Sequence, residues 1–76
     1  GDGSKKTLGV MLPGEYEFRA EVQELMEISS GTLDVLLPGA TDWIRITGGM
    51  SFEVPAKATF GVKVSAITNY CCSYLS

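Results

Sequence analysis

The chain contains no histidine, which removes the Ser/His/Asp and Cys/His nucleophile sets and every imidazole ligand on which a metal site could draw. Its only cysteines, Cys71 and Cys72, are adjacent, so in an extended strand they point to opposite faces and cannot staple distant segments together. Basic residues are scarce as well. Lys5, Lys6, Arg19, Arg45, Lys57 and Lys63 are dispersed apart from the first pair, and the formal net charge is −3, so there is no nucleic-acid footprint. No apolar run is long enough to span a membrane, no N-x-S/T sequon occurs, and the amino terminus does not resemble a signal segment. The expectation is a soluble protein of a reducing compartment, most simply the cytoplasm. P-loop, G-x-G-x-x-G and C-x-x-C spacings are missing too.

What remains is a small, rather apolar chain. Its 76 residues suffice for a single domain, 1–76, with one modest core, and domains this short often lean on a partner chain. Apolar residues make up 45%, with three Phe, three Tyr and one Trp, which is too hydrophobic for a disordered segment. The first residues, GDGSKK, read as a polar, glycine-rich turn.

Period-two alternation dominates the rest, broken by Gly and Pro at short intervals, and no helix of useful length is predicted. Eight strands are expected, over 7–12, 15–20, 25–29, 32–37, 43–46, 50–54, 58–64 and 67–75. In the second, Tyr16 and Phe18 share one face while Glu15, Glu17 and Arg19 share the other. Ser30-Gly31 reads as the turn of a hairpin joining the third strand to the fourth. In the last, Tyr70, Cys72 and Tyr74 lie on one side. Many short strands with frequent turns predict an all-β sandwich or barrel.

Two spacings narrow this to a small, single-domain jelly-roll β-barrel of the cupin type. Six residues separate Glu24 from Gly31, and five separate Gly49 from Pro55, as in the two general cupin motifs in the same order. Metal-binding cupins place two His before that Glu and another after that Pro. Here the corresponding positions fall near Phe18 and Ala20 and on Phe60, so the cage is largely apolar and only Glu24 remains. No metal site is expected, and oxygenase, metal-isomerase and metallohydrolase readings are rejected.

Read as whole segments, GVMLPGEYEF, ELMEISSGTLDVLLPGATDW, GMSFEVPAKATF and TNYCCSYL resemble the small pyrimidine/purine nucleoside phosphorylase family of single-domain cupins. The Pro-Gly-Glu-Tyr turn, the SSGTLDVLLPGATDW block and the closing Thr68, Tyr70, Cys72, Tyr74 pattern are the most specific parts. The resemblance implies an enzyme, needing no metal or cofactor, that uses inorganic phosphate as co-substrate to cleave purine and pyrimidine nucleosides to free base and ribose 1-phosphate. It implies a homodimer, and a further amino-terminal strand pair that this sequence does not include.

Phosphorolysis passes through an oxocarbenium-like state and needs cations for phosphate, a negative group near the ribose and help for the departing base. Glu24 is the catalytic candidate, binding ribose hydroxyls or stabilising developing positive charge; its alternative is a rim carboxylate in a salt bridge. Arg19, Arg45 and Lys57 are the phosphate candidates, with solvated surface cations as the alternative. Tyr16, Phe18, Phe60, Tyr70 and Tyr74 are candidates for an aromatic wall against which a base stacks, although inward aromatics usually serve only as core. Trp43 is read as a packing or interface residue and Cys72 as a buried structural thiol. A competing reading is a non-catalytic sugar- or nucleoside-binding cupin, or a structural dimer.

Overall fold

A computed structural model describes residues 5–75, so residues 1–4 of the turn expected over GDGSKK lie outside the described residues, while its Lys5 and Lys6 belong to a strand instead. Six strands follow in order: β1 (Lys5–Met11), β2 (Gly14–Ala20), β3 (Glu24–Leu36), β4 (Ile44–Thr47), β5 (Ser51–Val54) and β6 (Ala58–Tyr74). All pairings are antiparallel, as short turns between alternating strands require. Among the described residues, no helix is long and apolar enough to cross a membrane.

The eight expected strands resolve into six because two pairs of them are continuous. The expected hairpin at Ser30-Gly31 does not form. β3 continues through that point with a bend, and its two halves pair with two halves of β6 rather than with each other. What the sequence shows as a turn is a bulge: the register against β6 shifts between Ile28 and Leu33. Gly31 adopts φ +103°, and a Cβ there would lie 2.6 Å from the Ile67 carbonyl oxygen and 2.6 Å from the Thr68 Cα, so only glycine permits this approach. Beside it, Thr68 is fully buried and its hydroxyl donates to the Ala66 carbonyl at 2.8 Å. The segments expected at 58–64 and 67–75 are likewise two halves of β6.

This bend creates the architecture. The amino-terminal half of β3 and the carboxyl-terminal half of β6 form one layer, flanked by β5 and β1. The other halves form a second layer, flanked by β4 and β2. The two layers face each other over a single core that draws Met26, Ile28, Phe52 and Cys72 from the first and Leu33, Val35, Ile46, Phe60, Val62 and Val64 from the second. Phe52 meets Phe60 edge to face, ring centroids 6.3 Å apart, joining the layers. Full burial of side chains such as Leu33, Val35 and Val62 is worth roughly 1.5–3 kcal/mol each in transfer free energy.

Register sets what each layer presents inward. Across the first layer, one row holds Lys5, Tyr74, Glu24 and Val54. The next holds Thr7, Cys72, Met26 and Phe52, and the third Gly9, Tyr70 and Ile28. Polar side chains therefore cluster at one end of this inner face and aliphatic ones toward its middle. That end is the candidate site.

Candidate functional site

The polar end opens into a cavity of about 200 Å³ lined from both layers. Glu24 begins β3 and stands half-buried on the inner face, two positions before buried Met26. Tyr74 is its direct partner on β6, and Tyr70 and Cys72 follow at alternate positions on the same face. Thr7 of β1 lines the same wall, and its hydroxyl donates to the Tyr74 hydroxyl at 3.3 Å, which leaves the phenolic proton of Tyr74 available to another acceptor. The second layer contributes Phe18 and Phe60, a tilted pair with centroids 5.7 Å apart, and Arg19 at the end of β2.

A glycine places one of these groups. Gly9 pairs with Tyr70, and a Cβ on Gly9 would lie 2.6 Å from the Tyr70 Cζ, so the phenol ring lies across β1 where a side chain is missing. This holds the ring against the wall. Burial pushes the Cys72 thiol up to about 11, and the nearby Glu24 carboxylate adds to the rise by disfavouring a second negative charge. Cys72 is therefore a neutral thiol near pH 7, with its side chain in the wall and only 5% of the residue exposed.

Six of the residues singled out in the sequence surround this one cavity: Glu24, Arg19, Phe18, Phe60, Tyr70 and Tyr74. The others lie elsewhere. Arg45 is on β4 opposite Asp34, on the outward parity of the second layer, and its Nε donates to the Asp34 carboxylate at 3.0 Å. Its guanidinium pKa is raised by that hydrogen bond and charge. Lys57 sits in the turn between β5 and β6, exposed and at φ +56°. Tyr16 closes the β1–β2 turn, its hydroxyl donating to the Leu12 carbonyl at 2.6 Å, and its ring stacks on Phe18 with centroids 5.8 Å apart. Thr7, Met11 and Met26 line the cavity without having been singled out, because their faces become defined only once β1 and β3 are paired with β6.

A larger, open groove of about 540 Å³ lies over the second layer, lined in part by Glu15, Glu17, Trp43 and Gly61. The Trp43 ring covers Gly61, and the Lys63 ammonium stands 4.3 Å from its centroid. The lining has two carboxylates and no cation, which is the wrong sign for an oxyanion. Glu15 and Glu24 thus belong to different concavities. The smaller cavity combines a carboxylate, a guanidinium, two phenols and aromatic faces, and is the better site for a polar ligand carrying a ring. Among the described residues, no three His, Cys, Asp or Glu side chains converge in a way that could hold a metal ion.

Comparison with known proteins agrees with this fold. A solved protein of unknown function from Acinetobacter sp. ADP1 superposes with a TM-score of 0.92 at 37% identity, covering 97% of this chain and 72% of that one. A cupin superfamily protein from Desulfitobacterium hafniense superposes with a TM-score of 0.80 at 14% identity, covering 99% of this chain and 69% of that one, a likeness of fold alone. In sequence, a pyrimidine/purine nucleoside phosphorylase of Sulfurovum sp. is 65% identical over 74 residues, spanning 97% of this chain and 72% of that relative. One of the same name from Geotalea uraniireducens is 64% identical over 73 residues, spanning 96% of this chain and 70% of its own. Residues 1–74 match the family described as Pyrimidine/purine nucleoside phosphorylase, and the chain, an all-β cupin, belongs to that family.

Proposed function

We propose that this protein cleaves purine and pyrimidine nucleosides with inorganic phosphate, releasing free base and ribose 1-phosphate, and does so without a metal or cofactor. A phosphate oxygen forms a bond to the anomeric carbon as the bond from that carbon to the base nitrogen breaks, its electron pair leaving with the base. The observation that carries this reading is the cavity of about 200 Å³, which holds Glu24, Arg19, Tyr70 and Tyr74 beside the Phe18–Phe60 pair in a chain of this family.

The division of labour follows from charge. Glu24 accepts hydrogen bonds from ribose hydroxyls and opposes the positive charge that develops on the sugar, where a preorganised carboxylate in a partly dry site acts strongly. Arg19 faces phosphate. Its Nε is 3.3 Å from Glu21, an exposed pair that holds it weakly and leaves the terminal nitrogens of the fork to an anion. The base lies against Phe18 and Phe60 while a phenol of Tyr70 or Tyr74 donates to a ring nitrogen or exocyclic oxygen. Holding phosphate and nucleoside in line supplies much of the barrier lowering, so a site without histidine suffices.

The protein acts in the cytoplasm as a homodimer in this reading. Two free cysteines suit a reducing compartment. The outer face of the first layer exposes Leu8, Val10 and Ile67 by more than half, an apolar stripe that a second copy would cover.

The test is release of free base from uridine, inosine and adenosine, with and without inorganic phosphate, resolved by chromatography. Release that depends on phosphate is expected. Glu24→Gln should lower kcat by about a hundredfold or more while leaving the fold intact, since it removes the charge and keeps the shape. A non-catalytic nucleoside-binding role is favoured by one feature, the small volume of the cavity. Base retention by a folded protein with bound nucleoside would establish that role instead.

A further inference from the structure

Phosphate is a dianion near neutrality, and the cavity that would receive it already contains the Glu24 carboxylate. Arg19 alone, shared with Glu21, leaves the site short of positive charge. The remaining cations can be placed one by one. Arg45 is bound to Asp34 on the outward face, Lys57 is in the β5–β6 turn, and Lys63 stands over Trp43. Lys6 is opposite Ser73, on the outer parity of β1.

Lys5 differs from all of these. It pairs with Tyr74, and Tyr74 pairs on its other side with Glu24, so cation, phenol and carboxylate stand in one row across three strands. Lys5 shares its face with Thr7 and Met11, both of which line the cavity, and it lies one step beyond Thr7 on that face, level with Tyr74 and Glu24. It is exposed and not itself part of the lining, so extending its ammonium over the neighbouring Thr7–Tyr74 edge of the cavity would cost no burial of charge. Two strand spacings put the Lys5 and Glu24 backbones roughly 10 Å apart, enough for a sugar ring between a phosphate and the carboxylate.

We propose that Lys5 is a phosphate-binding residue at the mouth of this cavity, acting opposite Glu24 and together with Arg19. The inference rests on the phosphorylase reading and specifies where its anion binds. A flexible ammonium suits this place, because phosphate must enter, be held while its oxygen attacks, and leave as part of the sugar phosphate.

The test uses the full-length chain carrying Lys5→Ala, Lys5→Arg and, as the opposite-face control, Lys6→Ala. Inorganic phosphate binding is followed by 31P line broadening without nucleoside, and KM for phosphate and for nucleoside is measured separately. Lys5→Ala should weaken phosphate binding and raise its KM by about tenfold, with the nucleoside KM changed far less. Lys5→Arg should restore most of the affinity, and Lys6→Ala should stay within about twofold of the parent. Equal phosphate binding in Lys5→Ala and Lys6→Ala would overturn the assignment of Lys5, even if the parent turns over. Phosphate that binds through Lys5 in a protein releasing no base would instead keep the anion site and remove the phosphorylase reading.

Discussion

At the scale of residues, the site depends on side chains that are missing as much as on those present. Gly9→Ala should push the Tyr70 ring off β1 and into the cavity, because the new Cβ and the phenol cannot share that space. The expected result is a nucleoside KM raised by about threefold to tenfold with a melting temperature lowered only slightly, a split that steady-state kinetics and calorimetry would show. Cys72 offers a second check. With its pKa at about 11 it should alkylate with iodoacetamide at pH 8 about a hundredfold more slowly than an ordinary thiol, and labelling at the rate of a free cysteine would contradict its burial beside Glu24. The sign for stability follows: the folded state holds this proton more tightly than the unfolded chain does. Its contribution is complete below about pH 9 and is lost as pH rises toward 11. The positions of Glu24 and Phe60 were legible from cupin spacing, and Tyr70 and Tyr74 from alternation. Arg45 and Lys57 lie away from the cavity, which the sequence does not reveal because alternation separates two faces without saying which is inner, and a turn has no parity at all. Lys5 is not legible in the sequence because the run that marks the first strand begins at Thr7, which leaves the lysine outside the pattern.

At the scale of elements, β3 and β6 carry the fold. Both pass from one layer to the other, and the point where they cross is Gly31 against Ile67 and Thr68. Gly31→Ala meets backbone there as well as an unfavourable φ, so it should cost about 3 kcal/mol or more and is expected to leave little folded protein. Gly39 has a positive φ with nothing within 4 Å of a built Cβ, so Gly39→Ala should cost only about 1 kcal/mol. Denaturant unfolding of the two variants separates crowding from conformation alone. Most strand positions were legible, since alternation and turn residues record local geometry. The bulge was not. Serine followed by glycine between alternating runs has the same composition whether the chain reverses or only shifts register, and the deciding fact, β6 lying alongside both halves, is non-local.

For the whole molecule, the exposed stripe of Leu8, Val10 and Ile67 predicts association. In the full-length protein, Leu8→Lys with Ile67→Lys should convert a dimer to a monomer in sedimentation velocity, and an unchanged mass would move the interface elsewhere. The same architecture has a consequence for synthesis. β1, β2 and β3 all pair with β6, the last of the described strands to be made. While the chain is still growing from the ribosome, β3, β4 and β5 can pair among themselves, but β1 and β2 have no partner until Ala58–Tyr74 has emerged. Translation halted before that point yields two orphaned strands carrying Leu8, Val10, Tyr16 and Phe18, a nascent chain that depends on chaperones or is degraded.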